Sequence, residues 1–439
     1  MPTIIEPLRE DWESAQADAT AKLLAGDARG ARTAVKRFHD RLCDTIVLDP
    51  ACGTGNFLYV ALELMKRLEG EVLDFLKLLG ETAEPLRTVD PHQFLGIEKN
   101  PRAVPIAELV LWIGYIQWWF RTRERTVMTE PILKDFGMIR EGDAVLEHDG
   151  EEIVRDAQGR PVTRHDPNAR KLHPVTGELV PDPEARIPVT RFENPRPARW
   201  PEADFIVGNP PFIGKGEDMR TQLGDGYVHA LWASRKKKSD SVDFVMYWWE
   251  QAASILALEN SRLRRFGFIT TNSVTQTFSR RIIEQYASTG KASLIFAVAD
   301  HPWIKVPKGI RGRRARKAAV RIAMTVAERG YRTGKILTVS TEENLDSDNP
   351  TLGIRVDFGY INSDLSIGPD LGSISKLNAA KELALNGVLL AGKGFVLEPP
   401  QARALIAASH ENIVRPYVDG RELVTRPLGR YVIDAFGLD

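Results

Sequence analysis

The sequence predicts an α/β fold built on an open, mostly parallel sheet whose ligand crevice lies at the carboxyl ends of its strands. Three stretches predict it. Thr45-Ile46-Val47-Leu48 runs into Asp49-Pro50-Ala51-Cys52-Gly53-Thr54-Gly55-Asn56-Phe57 and then into an amphipathic run over residues 58–68, which reads as strand, glycine turn and helix. Phe94-Leu95-Gly96-Ile97 is a second apolar strand, and it ends on the acid Glu98. Phe205-Ile206-Val207 is a third, and it breaks on Asn209-Pro210-Pro211-Phe212. Neither proline can donate to a sheet ladder, so that strand must stop at Asn209. In open α/β sheets the ends of such strands are where ligands bind.

Composition sets the outer bounds. A chain of 439 residues with 43% hydrophobic content has material for a sizeable core and about two or three domains. Fifty-nine basic residues balance 59 acidic ones, so global charge argues neither for nor against a polyanionic partner, and local clusters matter more. Cys43 and Cys52 are too few for a disulfide framework or a zinc site, which suits a reducing cytoplasm and implies no metal. The start, Met1-Pro2-Thr3-Ile4-Ile5-Glu6-Pro7, lacks a basic-then-apolar signal pattern. The most apolar stretch, residues 103–119, carries Glu108 and Gln117 and reads as a buried helix rather than a membrane span, with Trp112, Trp118 and Trp119 as core packing.

Taken in order, residues 1–44 form a helical arm, acidic at its start and basic toward its end, with a break near Gly26 and Gly30. In the first glycine turn, Gly53 and Gly55 remove side chains where the backbone must approach a ligand, and Asp49 aims a carboxylate into the same crevice. The spacing is neither that of a dinucleotide fingerprint nor that of a phosphate loop, which excludes NAD and ATP as the natural readings. A carboxylate facing a glycine turn suits a ligand with a positive amino group, such as the amino-acid part of S-adenosyl-L-methionine. Glu98, ending the second strand, is placed to take the two hydroxyls of a ribose. Ile139-Arg140-Glu141-Gly142-Asp143 is a third short strand and turn, and Asp143 is either an acceptor for an adenine amine or an ordinary turn aspartate. Residues 147–200, rich in Pro, Asp, Arg and Gly, form a polar, hairpin-bearing insertion. Downstream come a helix over 242–258 and strands over 266–271, 294–298 and 320–326.

With Asp49 to Phe57, Glu98, Asp143 and Asn209 to Phe212 standing in that order, the chain resembles the amino DNA methyltransferases, and within them the gamma-type adenine-N6 class. Gly214-Lys215-Gly216-Glu217-Asp218-Met219-Arg220, Asp243-Phe244-Val245 and the stretch from Gly267 to Ser273 are similar to the large methyltransferases of fused restriction-modification and phage-defence systems. The resemblance spans about residues 44–327. It implies a class I S-adenosylmethionine-dependent, Rossmann-like domain over 45–329 with a seven-stranded, mostly parallel sheet, followed over 330–439 by the start of an α+β target-recognition region. Asp49, Pro50, Ala51, Cys52, Gly53, Gly55, Asn56, Phe57, Glu98 and Asp143 would hold S-adenosyl-L-methionine. Asn209, Pro210, Pro211 and Phe212 would form the catalytic turn. The Asn209 side-chain oxygen and the Pro210 carbonyl would accept the two hydrogens of an adenine amine, and Phe212 would stack on the flipped base.

Basic residues near that turn are the expected DNA contacts: Lys215, Arg220, Lys236 and Lys237, and above all Arg311, Arg313 and Arg314 in a glycine-bearing cationic loop over 305–317. Arg415-Pro416-Tyr417-Val418-Asp419-Gly420 resembles the connection into a recognition region, and the sequence stops soon after it. The expectation is a truncated or split protein whose specificity module is missing or carried on a separate chain, with a separate specificity or nuclease subunit as a further partner. Glutamine methylation of a protein, through the same Asn-Pro-Pro turn, and a noncatalytic DNA-binding remnant are the alternatives.

Overall fold

The computed structural model describes residues 2–81, 86–122, 137–166, 169–173, 177–235, 241–303, 321–343, 351–369, 395–408, 410, 412–419 and 429–434. They belong to two compact units, Met1–Gly372 and Ser373–Asp439.

The arm is two helices, α1 (Ile5–Leu24) and α2 (Ala28–Asp44), broken where the glycines predict. Gly26 adopts φ 80°, and the Asp27 side chain caps α2 by accepting the Gly30 N–H at 2.7 Å. Beyond them run β1 (Val47–Asp49), α3 (Asn56–Leu78), β2 (Phe94–Glu98), α4 (Ala103–Thr122) and β3 (Ile139–Glu141). The insertion carries β4 (Gly150–Ile153), β5 (Thr163–His165), β6 (Arg170–Leu172), β7 (Leu179–Pro181), β8 (Arg186–Pro188) and β9 (Thr190–Glu193). They pair β4 with β9, β5 with β8 and β6 with β7, as a nested antiparallel excursion. The chain continues through β10 (Phe205–Gly208), α5 (Glu217–Leu223), α6 (Asp225–Ala233), α7 (Met246–Leu256), β11 (Arg265–Thr271), α8 (Thr277–Ala287), β12 (Ser293–Pro302), β13 (Arg321–Glu328), β14 (Gly334–Glu343) and β15 (Thr351–Gly359).

One mixed sheet joins these elements in the order β15-β14-β12-β13-β11-β10-β1-β2-β3. Strands β3, β2, β1, β10 and β11 are parallel neighbours, whereas β13 runs antiparallel to both β11 and β12. Among the described residues the sheet therefore has nine strands rather than seven. The excess comes from β14, parallel to β12, and β15, antiparallel to β14, in a stretch whose alternating, turn-rich composition reads as a separate region. For the same reason the boundary expected at Gly330 falls inside the first compact unit, between β13 and β14.

Side-chain alternation along the strands sorts the core onto the two faces of the sheet. Val47, Phe205 and Val207 join the core built with α1 to α4, and Leu48 and Ile206 join the one built with α6, α7 and α8. Helix α4 departs from expectation. Ala107, Leu111 and Tyr115 are buried, and Trp112 and Trp119 pack against the same core, but Ile106, Leu109, Ile113 and Phe120 stay 43–67% exposed. Ala103–Arg121 is long and apolar enough to cross a membrane by composition, yet one face of it is locked into the core.

The second unit is a small α+β assembly of its own. Strands β16 (Val396–Leu397), β17 (Val414–Pro416) and β18 (Tyr431–Ile433) form an antiparallel sheet in the order β16-β18-β17. Leu397, Val414 and Ala402 of α9 (Pro399–Ala407) make its core.

Candidate active site and ligand crevice

A cavity of about 310 Å³ opens at the carboxyl ends of β1, β2, β3 and β10, the edge the sequence points to. Pro50 and Ala51 line it after β1, Glu98 and Lys99 at the end of β2, Asp143 after β3, and Asn209 and Pro211 after β10. Its apolar wall comes from Ile97, Ala144, Ile213, Leu223, Tyr227, Phe244 and Trp248.

Asp49 stands behind that wall with no exposed surface. Its Oδ1 accepts the Ala51 N–H at 3.0 Å, while its Oδ2 is buried without a protein partner among the described residues. Burial pushes its carboxyl up to about 7, the Ala51 N–H working against the rise and the nearby Glu98 charge adding to it. The glycine turn closes by a bond from the Gly55 N–H to the Cys52 carbonyl at 2.8 Å. Gly55 sits at φ 82° with Ala107 of α4 so near that a Cβ would lie 3.2 Å from its backbone. Glycine is thus required there by conformation and by space. Cys52 faces β2, and burial drives its thiol above the ordinary range, which disfavours the thiolate. Asn56 is exposed at the start of α3, and Phe57 packs into the core rather than the cavity.

Glu98 is held from both sides: Oε2 accepts the Gly53 N–H and Oε1 the Asn100 N–H, each at 2.8 Å. The carboxylate that ends β2 therefore fixes the glycine turn that follows β1. Asp143 is more heavily engaged, with two backbone N–H groups on one oxygen and Lys99 and Tyr227 on the other. The Tyr227 hydroxyl is pushed well above its usual range by burial and by that carboxylate.

The turn after β10 is rigid. The Pro211 carbonyl accepts the Ile213 N–H at 3.2 Å, which leaves the Pro210 carbonyl outside that bond. Asn209 Oδ1 is buried and accepts from no protein donor among the described residues. Pro211 lines the cavity, whereas Phe212, expected to face a base, is half-buried and lies off its wall, and Pro210 is buried.

Four bonds brace this arrangement. The Phe244 N–H donates to the Gly214 carbonyl at 2.9 Å, and the Trp248 indole N–H donates to the Pro50 carbonyl at 3.0 Å. Buried Asp243, just before α7, accepts hydroxyls of Thr271 and Ser273 at 3.0 and 2.6 Å. Two stretches quoted for the resemblance, Asp243 to Val245 and Gly267 to Ser273, thus meet in space. Sequence reasoning missed Lys99, Tyr227 and Trp248; the first follows Glu98 directly, a signal that could have been read, and the others carry none.

The expected DNA contacts divide. Lys215 is exposed, its ammonium donating to Gln276 Oε1 at 3.1 Å. Arg220 is engaged within the fold, donating to Asp225 at 2.8 Å and lying 4.9 Å over the Trp232 ring. Lys236, Lys237, Arg311, Arg313 and Arg314 lie outside the described residues. Arg235, just before the first pair, is turned inward to the Val145 carbonyl and Gln251.

Away from the crevice, His39, Cys43 and Glu69 bring ligand atoms within 4.8 Å of one another. Lys66 donates to Glu69 at 2.5 Å, so a metal ion there would meet a cation already in place.

An open α/β sheet with a polar-edged crevice at the ends of its parallel strands defines a ligand-binding α/β domain. A family model described as MmeI, DNA-methyltransferase domain, matches residues 25–325, and the chain belongs to that family. Over 251 residues it is 25% identical to DNA methyltransferase A of Bacillus subtilis (strain 168), covering 57% of this chain and 23% of that protein. The structure of the Type IIL restriction-modification enzyme MmeI in complex with DNA matches 100% of this chain and 50% of its own, with TM-score 0.57 and 20% identity, a likeness of fold. The chain spans half or less of each of these relatives.

Proposed function

We propose that this chain is the catalytic domain of a site-specific DNA adenine-N6 methyltransferase of a restriction-modification or phage-defence system, using S-adenosyl-L-methionine in the cytoplasm. The observation that carries the reading is Asn209 Oδ1, buried and unpaired on the wall of the same cavity that Glu98 and Asp143 edge. The run β3-β2-β1-β10-β11-β13-β12, with β13 reversed, supports a class I methyltransferase sheet to which β14 and β15 are added.

The residues present fit the cofactor. Asp49 Oδ2 is an orphaned buried acceptor beside the glycine turn and suits a positive amino group. Glu98, its oxygens each holding one backbone donor, keeps lone pairs for two ribose hydroxyls. Asp143, Ile97, Tyr227 and Phe244 would receive the adenine end. When bound, the cofactor supplies an electrophilic methyl group on a sulfonium.

The protein's part is to make the target nitrogen nucleophilic. Its lone pair is delocalised into the purine ring, and two acceptors for its two hydrogens oppose that delocalisation. Asn209 Oδ1 and the Pro210 carbonyl, held by a proline-stiffened turn, are those acceptors. In such a direct transfer the nitrogen would shed one proton to solvent, the electron pair of the methyl bond staying on the sulfonium sulfur, with no covalent part for Cys52. A base must leave the duplex to reach such a turn, and Phe212, exposed in part beside it, would meet its face after a side-chain rotation. Lys215, exposed near the turn, is proposed as a phosphate contact, and Arg311, Arg313 and Arg314 as further ones. A separate specificity or nuclease subunit is the further proposed partner.

Genome-wide sequencing of methylated bases in cells with and without the gene tests the reading. Gene-dependent N6-methyladenine at one sequence motif is expected, lost with Asn209→Ala. Its absence, or label from the cofactor appearing in protein alone, overturns the proposal.

A further inference from the structure

A carboxylate offers about four lone-pair sites, and on Asp143 each is taken. Oδ1 accepts the Val145 and Leu146 N–H groups at 2.9 and 3.1 Å, and Oδ2 accepts Lys99 Nζ at 2.8 Å and the Tyr227 hydroxyl at 2.7 Å. A further donor arriving at this end of the cavity must therefore displace one of them. The two amides are fixed by the turn after β3. Tyr227 is 6% exposed, its ring meeting Phe192 and Phe244 edge to face. The Lys99 side chain, in contrast, is 66% exposed and rests over the Tyr227 ring at 4.7 Å. It is the donor that leaves at least cost, because its ammonium can be rehydrated at once.

We infer that Lys99 is a specificity-determining residue of the cofactor site, guarding the Asp143 oxygen until a ligand's exocyclic amine takes its place. The inference rests on the reading of the crevice as the cofactor site. If the ligand carries a ring oxygen instead of an amine, Lys99 stays and bridges that oxygen to Asp143. The lysine thus stabilises the free protein and softens the choice between an amino and an oxo purine. Without it, an amine meets an uncontested acceptor, and an oxygen meets a bare carboxylate.

Calorimetric binding of S-adenosyl-L-homocysteine and of its deaminated counterpart, S-inosyl-L-homocysteine, tests this on wild type, Lys99→Met and Tyr227→Phe. Loss of Lys99 is expected to tighten the amino ligand about fivefold and weaken the oxo ligand about fivefold, the worth of one hydrogen bond each way. Their ratio then rises about 25-fold by the same reckoning. Tyr227→Phe frees a lone pair on the same oxygen but leaves the lysine in place, so the oxo ligand keeps its affinity there. If Lys99→Met shifts both ligands equally or neither, or if the oxo ligand weakens as much in Tyr227→Phe, the inference is overturned. Should wild type bind neither ligand, the cofactor assignment fails first and takes the inference with it.

Discussion

Gly208 stands against the Asp49 carboxylate: a Cβ there would lie 3.0 Å from Asp49 Oδ1 and 3.3 Å from the Phe268 ring. The strand that delivers Asn209 and the strand that delivers Asp49 are parallel neighbours, so the Asn209 turn and the glycine turn share one rigid seam. Gly208→Ala forces the carboxylate aside. It is expected to cost about 1–3 kcal/mol of stability, as overpacking does, and to weaken S-adenosyl-L-homocysteine about tenfold, the equivalent of about 1.4 kcal/mol. A dissociation constant within twofold of wild type would contradict the contact's importance.

If the crevice holds the proposed cofactor, the Asp49 carboxyl, pushed up to about 7, should make its affinity pH-dependent. Its folded value lies above that of an unfolded aspartate, so the buried charge opposes folding as pH rises toward and through 7, and a cationic amino group would relieve it. Affinity should therefore climb as pH rises from 5.5 to about 7.5 and the carboxylate forms. In Asp49→Asn it should be weak and flat across that window. Titration calorimetry at several pH values reads both curves, and a wild-type profile as flat as the variant's would rule the carboxylate out.

Asp243 supports the site from behind. It joins Thr271 and Ser273 to the start of α7, whose Phe244 N–H holds Gly214 at the exit of the Asn209 turn. Asp243→Ala leaves two hydroxyls without their acceptor and slackens the turn. Methyl transfer in a single turnover should drop about 100-fold, the cost of a displaced reacting group, while S-adenosyl-L-homocysteine binds within threefold of wild type. Equal losses in both would make Asp243 a residue of stability alone.

Much of this was legible in the sequence because backbone chemistry writes itself there. Gly55 has to be glycine between a positive φ and α4, and the prolines after Asn209 end their strand wherever the chain goes. Asp49, Glu98, Asp143 and Asn209 were readable as strand-end residues and do converge on one edge. Tyr227 and Trp248 were not, since α6 and α7 approach the crevice by tertiary packing that no local pattern records. Strands β14 and β15 were hidden differently. Their alternation, with Ile354, Val356 and Phe358 exposed on β15, is that of an edge ribbon, and nothing local says which sheet such a ribbon joins. Arg220 shows the converse, a cation beside the Asn209 turn that Asp225 and Trp232 engage, which no local pattern announces.

Lys66 and Glu69 form a buried ion pair remote from the crevice, at 1% and 0% side-chain exposure. Lys66 also donates to the Val89 carbonyl at 3.0 Å and lies 3.9 Å over the Trp118 ring. Burial works against the Glu69 charge, but His39, Lys66 and the Val89 N–H outweigh it and hold the carboxyl below its usual range. Lys66→Met removes the cation and leaves the buried carboxylate with only the His39 ring and the Val89 N–H, which should cost about 3–5 kcal/mol in urea unfolding at pH 7. The pH dependence then changes sign. A lowered folded value means wild type keeps this contribution above the ordinary carboxylate range and loses it as pH falls below that range. In the variant, protonation relieves the stranded charge, so the deficit relative to wild type should shrink as pH falls from 7 to 5. A deficit that stays constant over that interval would show that Glu69 is not charged in the folded protein.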